Sequence, residues 1–154
     1  PVEAGLQGIE LKNDRKIQWL PDYIEAIKRI QSHGIRVNGC FVLGLDGHTP
    51  DIFDQVYDFV IESELYDVQI TYQTPFPGTP LYDRLLKENR LLYPGNWDRC
   101  TLFDINFQPS DMTVEQLRMG FYQLSSRLYS DELTKWRRDI FKQKYLRASK
   151  HRAN

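Results

Sequence analysis

The stretch Arg36–Thr49, RVNGCFVLGLDGHT, constrains this chain more than any other. It opens as a short apolar run, Val37, Cys40, Phe41, Val42, Leu43 and Leu45, with Gly39 and Gly44 set into it. A run that short, apolar on both alternating faces, predicts a strand buried on both sides in a parallel sheet. The run then breaks into Asp46-Gly47-His48 and restarts at Thr49-Pro50, which reads as a helix N-cap followed by proline at the first helical position. A buried strand passing through a polar turn into a helix N-terminus is where α/β proteins hold ligands.

The flanking sequence repeats the pattern. From Pro21 to His33, Ile24, Ile27 and Ile30 recur at helical spacing, and Gly34 follows as a left-handed terminator. After Thr49-Pro50, the stripe Ile52, Phe53, Val56, Phe59 and Val60 predicts a second helix ending near Glu64. Asp67–Thr74 alternates Val68, Ile70 and Tyr72 against polar residues, as a strand does. It meets the turn Pro75-Phe76-Pro77-Gly78, and Thr79-Pro80 opens a third helix through Leu81, Leu85 and Leu86. Helix, strand, helix, strand, helix with short links implies parallel strands joined by right-handed crossovers. Past Arg90, Leu102–Gln108 reads as a short strand or extended segment. Thr113 and Gln116 form a capping box, with Met112 and Leu117 as a staple. Ser130 caps one more helix carrying Leu133, Trp136 and Ile140, and the basic tail Lys142–Asn154 reads as frayed.

Composition narrows the function classes. A net charge of −1 gives no field for nucleic acid, and the tail Lys142–Arg152 has one interleaved aromatic, Tyr145. Two cysteines, Cys40 and Cys100, cannot form a metal cluster or a structural zinc site alone, and their sparseness fits a reducing compartment. No apolar run approaches membrane-spanning length, so the expectation is a cytoplasmic protein. Neither G-x-G-x-x-G nor a P-loop is present, which argues against an ordinary nucleotide-binding α/β protein. Pro1-Val2-Glu3-Ala4-Gly5 opens as though in mid-element, and the expectation is a piece of a longer protein.

Gly39–Thr49 (GCFVLGLDGHT) followed by Thr74–Leu85 (TPFPGTPLYDRL) resembles the last third of the radical S-adenosylmethionine barrel. In that family the fifth strand ends in a pattern like G-x-F-x-x-G-L-P-G-E-T and the sixth in P-x-P-G-T-P-L. Arg90-Leu91-Leu92, Trp97–Pro109, Asp111-Met112-Thr113 and Leu128-Tyr129-Ser130 look like the C-terminal extension of cobalamin-binding members. The resemblance implies an α/β fold: a partial (β/α) barrel over residues 1–90, then a mainly helical extension over 91–154. It implies that Gly39, Phe41, Gly44 and Leu45 line the adenine side of S-adenosylmethionine and that backbone groups at Thr74, Pro75 and Phe76 bond the adenine edge. By the same likeness Glu3 reaches the ribose or methionyl part, while Tyr72 and Gln73 lie where they can face a small-molecule substrate. Asp46 and His48 depart from the family's proline and glutamate.

The family's [4Fe–4S] cluster needs three cysteines at C-x-x-x-C-x-x-C spacing, which this chain lacks. The expectation is therefore a catalytically incomplete portion whose N-terminal remainder supplies the cluster and, with it, any cobalamin site. Isolated, such a half-barrel leaves a sheet edge through which two copies can pair. Two rival functions are a transfer-RNA methylthiolating enzyme, which shares P-x-P-G-T, and a non-catalytic docking or dimerisation module over Leu91–Leu146.

Overall fold

The computed structural model describes residues 20–152. Helix α1 (Leu20–Ser32) leads to β1 (Asn38–Leu43), α2 (Ile52–Ser63), β2 (Asp67–Tyr72) and α3 (Pro80–Lys87). A 3-10 turn at Trp97–Arg99 precedes α4 (Val114–Leu128) and α5 (Asp131–Arg152). Strands β1 and β2 pair in parallel, with Phe41 opposite Ile70 and Leu43 opposite Tyr72. The fold is thus α/β, with consecutive βα units followed by a helical C-terminal part. The segments Val2–Leu6 and Glu10–Lys16 lie outside the described residues.

Local chemistry sets the element ends. Gly34, at φ +84°, closes α1 with its N–H on the Gln31 carbonyl at 3.0 Å, a conformation in which a Cβ is costly. The Thr79 hydroxyl accepts from the Tyr82 N–H at 3.3 Å, with Pro80 at the first helical position of α3. The Thr113–Gln116 capping box forms in both directions at 2.8 and 3.0 Å, and Met112 and Leu117 are buried.

A single core joins the two parts of the chain. Leu43, Ile52, Val60, Leu65 and Ile70 meet Leu91, Phe107, Leu117, Leu124 and Leu128 in one cluster. Gln31 is fully buried in it: its side chain donates to the Glu64 carbonyl and accepts from the Tyr66 N–H, both at 2.8 Å. It thereby satisfies the turn between α2 and β2, where an orphaned peptide group would be expensive.

Four expectations are corrected. Strand β1 is buried on one face only: Phe41 and Leu43 pack inward, whereas Asn38, Cys40 and Val42 are exposed. Helix α2 covers the first face, through the edge-on contact of Phe41 with Phe59 at 5.8 Å, and among the described residues no element covers the second. Helix α2 starts at Ile52 with Asp51 in the cap position, because the Thr49 hydroxyl turns to the Asp51 carboxylate and the Thr49 carbonyl accepts from the Ile52 N–H at 3.0 Å. Leu102–Gln108 makes one antiparallel bridge, Phe107 with Leu91, in place of a strand. The tail is helical as far as Arg152, since Phe141 is buried against Tyr66 with centroids 4.9 Å apart and Lys144 pairs with Glu64.

Candidate functional site

The carboxyl ends of β1 and β2 lie side by side, joined by the Gln73 N–H donating to the Leu43 carbonyl at 2.8 Å. The two βα turns, Gly44–His48 and Thr74–Gly78, therefore emerge on one edge of the sheet, where α/β folds gather their ligands.

The first turn is held mainly from outside itself. Gly44 adopts φ +87° and packs so tightly that a Cβ would stand 2.8 Å from Phe107 Cζ and 3.0 Å from Leu117 Cδ2. The Asp46 carboxylate receives the Arg84 and Arg90 guanidiniums, the latter at 2.7 Å. Burial alone would raise the Asp46 carboxyl, but hydrogen bonds and charge from Arg90 and Arg84 outweigh it and hold it below the ordinary range. Arg90 also donates to the Gln108 carbonyl at 2.9 Å and to Glu88 at 2.8 Å. The Gly47 N–H donates to Asp111 Oδ2 at 2.9 Å. His48 is 2% exposed, and neither ring nitrogen has a hydrogen-bond partner. Burial pulls its pKa down to about 4, against a smaller opposing pull from Asp51.

In the second turn the Thr74 hydroxyl donates to the Thr101 carbonyl at 2.8 Å, and the Cys100 thiol points to the Pro75 carbonyl at 3.7 Å. The Phe76 N–H closes on the Thr74 carbonyl at 3.0 Å, and Phe76 is 43% exposed. Thr74 and Pro75 are buried.

The comparisons with known proteins bear on these same segments. Residues 79–153 match a domain of unknown function, DUF4070. Over 110 residues the chain is 26% identical to a bacteriochlorophyllide d C-12(1)-methyltransferase of Chlorobaculum tepidum, covering 71% of this chain and 24% of the relative. Over 73 residues it is 36% identical to a hopanoid C-2 methylase of Rhodopseudomonas palustris, covering 47% and 14%. Over 95 residues it is 33% identical to a protein of Methanocaldococcus jannaschii provisionally named a methylthiotransferase, covering 60% and 21%. The match over residues 79–153 and these methyltransferase and methylthiotransferase relatives support a likeness to the C-terminal region of the radical S-adenosylmethionine family.

The chain spans a quarter or less of the length of these relatives. Of the residues that the family resemblance singles out, the fold brings Gly44, Leu45, Thr74, Pro75 and Phe76 to the shared carboxyl edge. Gly39 and Phe41 sit within β1 on the side facing α2, where a Cβ on Gly39 would meet Leu65 Cδ1 at 2.5 Å. Tyr72 is buried against Phe121, centroids 4.1 Å apart, and burial pushes its hydroxyl up to about 12. Gln73 is half-buried beside it, and Glu3 lies outside the described residues.

On the opposite face of the sheet, Cys40, Val42 and Gln69 are exposed together, with Cys40 Sγ 3.9 Å from Gln69 Oε1. Strict alternation from Phe41 and Leu43 points to this set. The Asp46 and Gly47 anchors, by contrast, lie 38 to 64 residues away and leave no periodic trace. Among the described residues no three His, Cys, Asp or Glu side chains gather as metal donors, so these residues do not fit an iron–sulfur cluster.

Proposed function

We propose that this chain is the C-terminal part of a methyl-transferring, cobalamin-dependent radical S-adenosylmethionine enzyme. The observation that carries the reading is the pair of adjacent βα turns, Gly44–His48 and Thr74–Gly78, each bearing its half of the family's motif at one sheet edge. The names of the Chlorobaculum and Rhodopseudomonas relatives support methyl transfer. In this reading residues 1–90 contribute the last barrel units and 91–154 the extension. Gly44, Leu45 and the Thr74–Phe76 backbone meet the nucleoside of S-adenosylmethionine, with Glu3 toward its ribose or methionyl part, while Gly39 and Phe41, packed beneath α2, support β1 from behind. The substrate is approached from the Tyr72–Gln73 end. The cluster and the cobalamin belong to preceding polypeptide, and the chain alone is inactive.

The same reading gives the open edge of β1 an occupant. Alternate peptide groups of β1, those of Gly39, Phe41 and Leu43, face β2, and those of Asn38, Cys40 and Val42 face away. A right-handed crossover through α1 delivers the preceding strand to that second edge. In the isolated chain, a second copy pairs there instead.

The test is anaerobic expression of the full-length protein, with its absorbance, iron and cobalamin content recorded with and without S-adenosylmethionine. A spectrum that responds to S-adenosylmethionine, with 5′-deoxyadenosine released, supports the reading; a full-length protein without iron overturns it. A methylthiolating enzyme is the second reading, favoured by the Methanocaldococcus relative. Sulfur incorporation into transfer RNA separates the two.

A further inference from the structure

Every anchor of the Gly44–His48 turn named above comes from later in the chain. Within the turn the described backbone bond is the His48 N–H to the Leu45 carbonyl at 3.0 Å. The other constraints come from Arg84 and Arg90 on Asp46, Asp111 on Gly47, and Phe107 and Leu117 against Gly44. All five residues fall inside the matched domain of unknown function, residues 79–153. A turn with one internal bond and two glycines at positive φ would otherwise sample many shapes.

We propose that this domain works as a clamp on the Gly44–His48 turn, with Asp111 and Arg90 as positioning residues that fix the surface offered to a nucleoside. The ligand's identity, the adenosyl half of S-adenosylmethionine, rests on the function proposed above; the clamp itself does not.

Asp111 separates a clamp from ordinary packing. It is exposed and adds nothing to the core; its hydrogen bonds go to the neighbouring Ser110 hydroxyl and to the Gly47 N–H. Losing it leaves the apolar cluster untouched and frees the turn. A ligand that needs the turn preformed then binds more weakly, because ordering the turn is charged to binding.

The experiment uses the full-length protein with Asp111→Ala and with Asp111→Asn, which keeps a carbonyl acceptor for Gly47. Amide hydrogen exchange is read in peptides covering residues 44–48, and labelled S-adenosylmethionine is titrated by equilibrium dialysis. In Asp111→Ala, exchange in this segment accelerates about ten-fold and Kd rises about five- to ten-fold, the equivalent of one hydrogen bond's net contribution. Tm stays near the wild-type value, and Asp111→Asn recovers most of both changes. Unchanged exchange at 44–48 in Asp111→Ala overturns the clamp. Faster exchange with unchanged Kd overturns its role in shaping the ligand surface. A wild-type protein that takes up no S-adenosylmethionine overturns the ligand reading, while the exchange data still decide the clamp.

Discussion

Gly120 of α4 lies directly beneath the ring of Phe53 of α2, so close that a Cβ would stand 2.0 Å from Phe53 Cε2. The absence of a side chain at Gly120 lets the two helices meet. Helix propensity alone favours alanine at such a position by about 1 kcal/mol. Overpacking against a buried ring costs about 1–3 kcal/mol or more, and at this separation the clash dominates. Gly120→Ala therefore destabilises the fold by about 1–3 kcal/mol in urea denaturation, and Phe53→Leu in the same chain recovers part of the loss, a coupling that a double-mutant cycle measures.

Arg90 and Arg84 both reach Asp46, yet they are not equivalent. Arg90 is 18% exposed and also holds Gln108 and Glu88, whereas Arg84 is 42% exposed. Arg90→Ala costs about 2 kcal/mol, with a half-buried carboxylate left short of donors. Arg84→Ala costs about 0.5 kcal/mol. Because the folded Asp46 carboxyl titrates below its unfolded value, its contribution is complete above the unfolded value and is lost as pH falls through the folded one. Asp46→Asn flattens that acid limb in a pH series of denaturation curves.

His48 gives a second acid-sensitive contribution. Its folded pKa is about 4 against an ordinary 6.5, so the fold favours the neutral ring. Stability is full above pH 6.5 and declines as pH drops from 6.5 toward 4. The His48 ring proton shifts stay constant in NMR from pH 7 to about 5. His48→Leu removes this part of the pH dependence with little loss at pH 7, since both ring nitrogens are buried without partners. A His48 titrating near 6.5 would contradict the buried geometry.

The Tyr129 hydroxyl accepts from the Ile70 N–H and donates to the Val68 carbonyl, each at 3.3 Å, along the edge of β2 away from β1. Tyr129→Phe leaves both peptide groups unpaired and costs about 1–2 kcal/mol. The Ile70 amide then exchanges faster, while amides on the β1 side of β2 keep their protection.

The parts of the fold legible in the sequence are those governed by neighbours in the chain. Thr79-Pro80, the Thr113–Gln116 box and Gly34 each act within a few residues, and each does so in the structure. The Thr49-Pro50 pair fails for the same kind of reason, because Asp51 captures the hydroxyl that the cap would need. What stayed hidden depends on distant chain. Apolar content on both faces of β1 cannot tell which face finds a cover, and the helical tail depends on Phe141 reaching Tyr66. Gln31, Asp111 and Arg90 look like ordinary surface residues until the fold delivers their partners. The two turn motifs were readable, and the residues that hold the first turn in shape were not.

The ribbon formed by β1 and β2 is closed on one side and open on the other. Leu102 and Tyr129 occupy the β2 flank, the former through its carbonyl on the Tyr72 N–H at 2.8 Å, and the β1 flank has no neighbouring strand among the described residues. Among the described residues a further strand therefore has one flank to join, that of β1. A version of the protein divided ahead of α1 keeps Leu102 and Tyr129 on the β2 flank and leaves the β1 flank bare. One divided between β2 and α4 would strip β2 of its cover and leave a bare flank prone to aggregate.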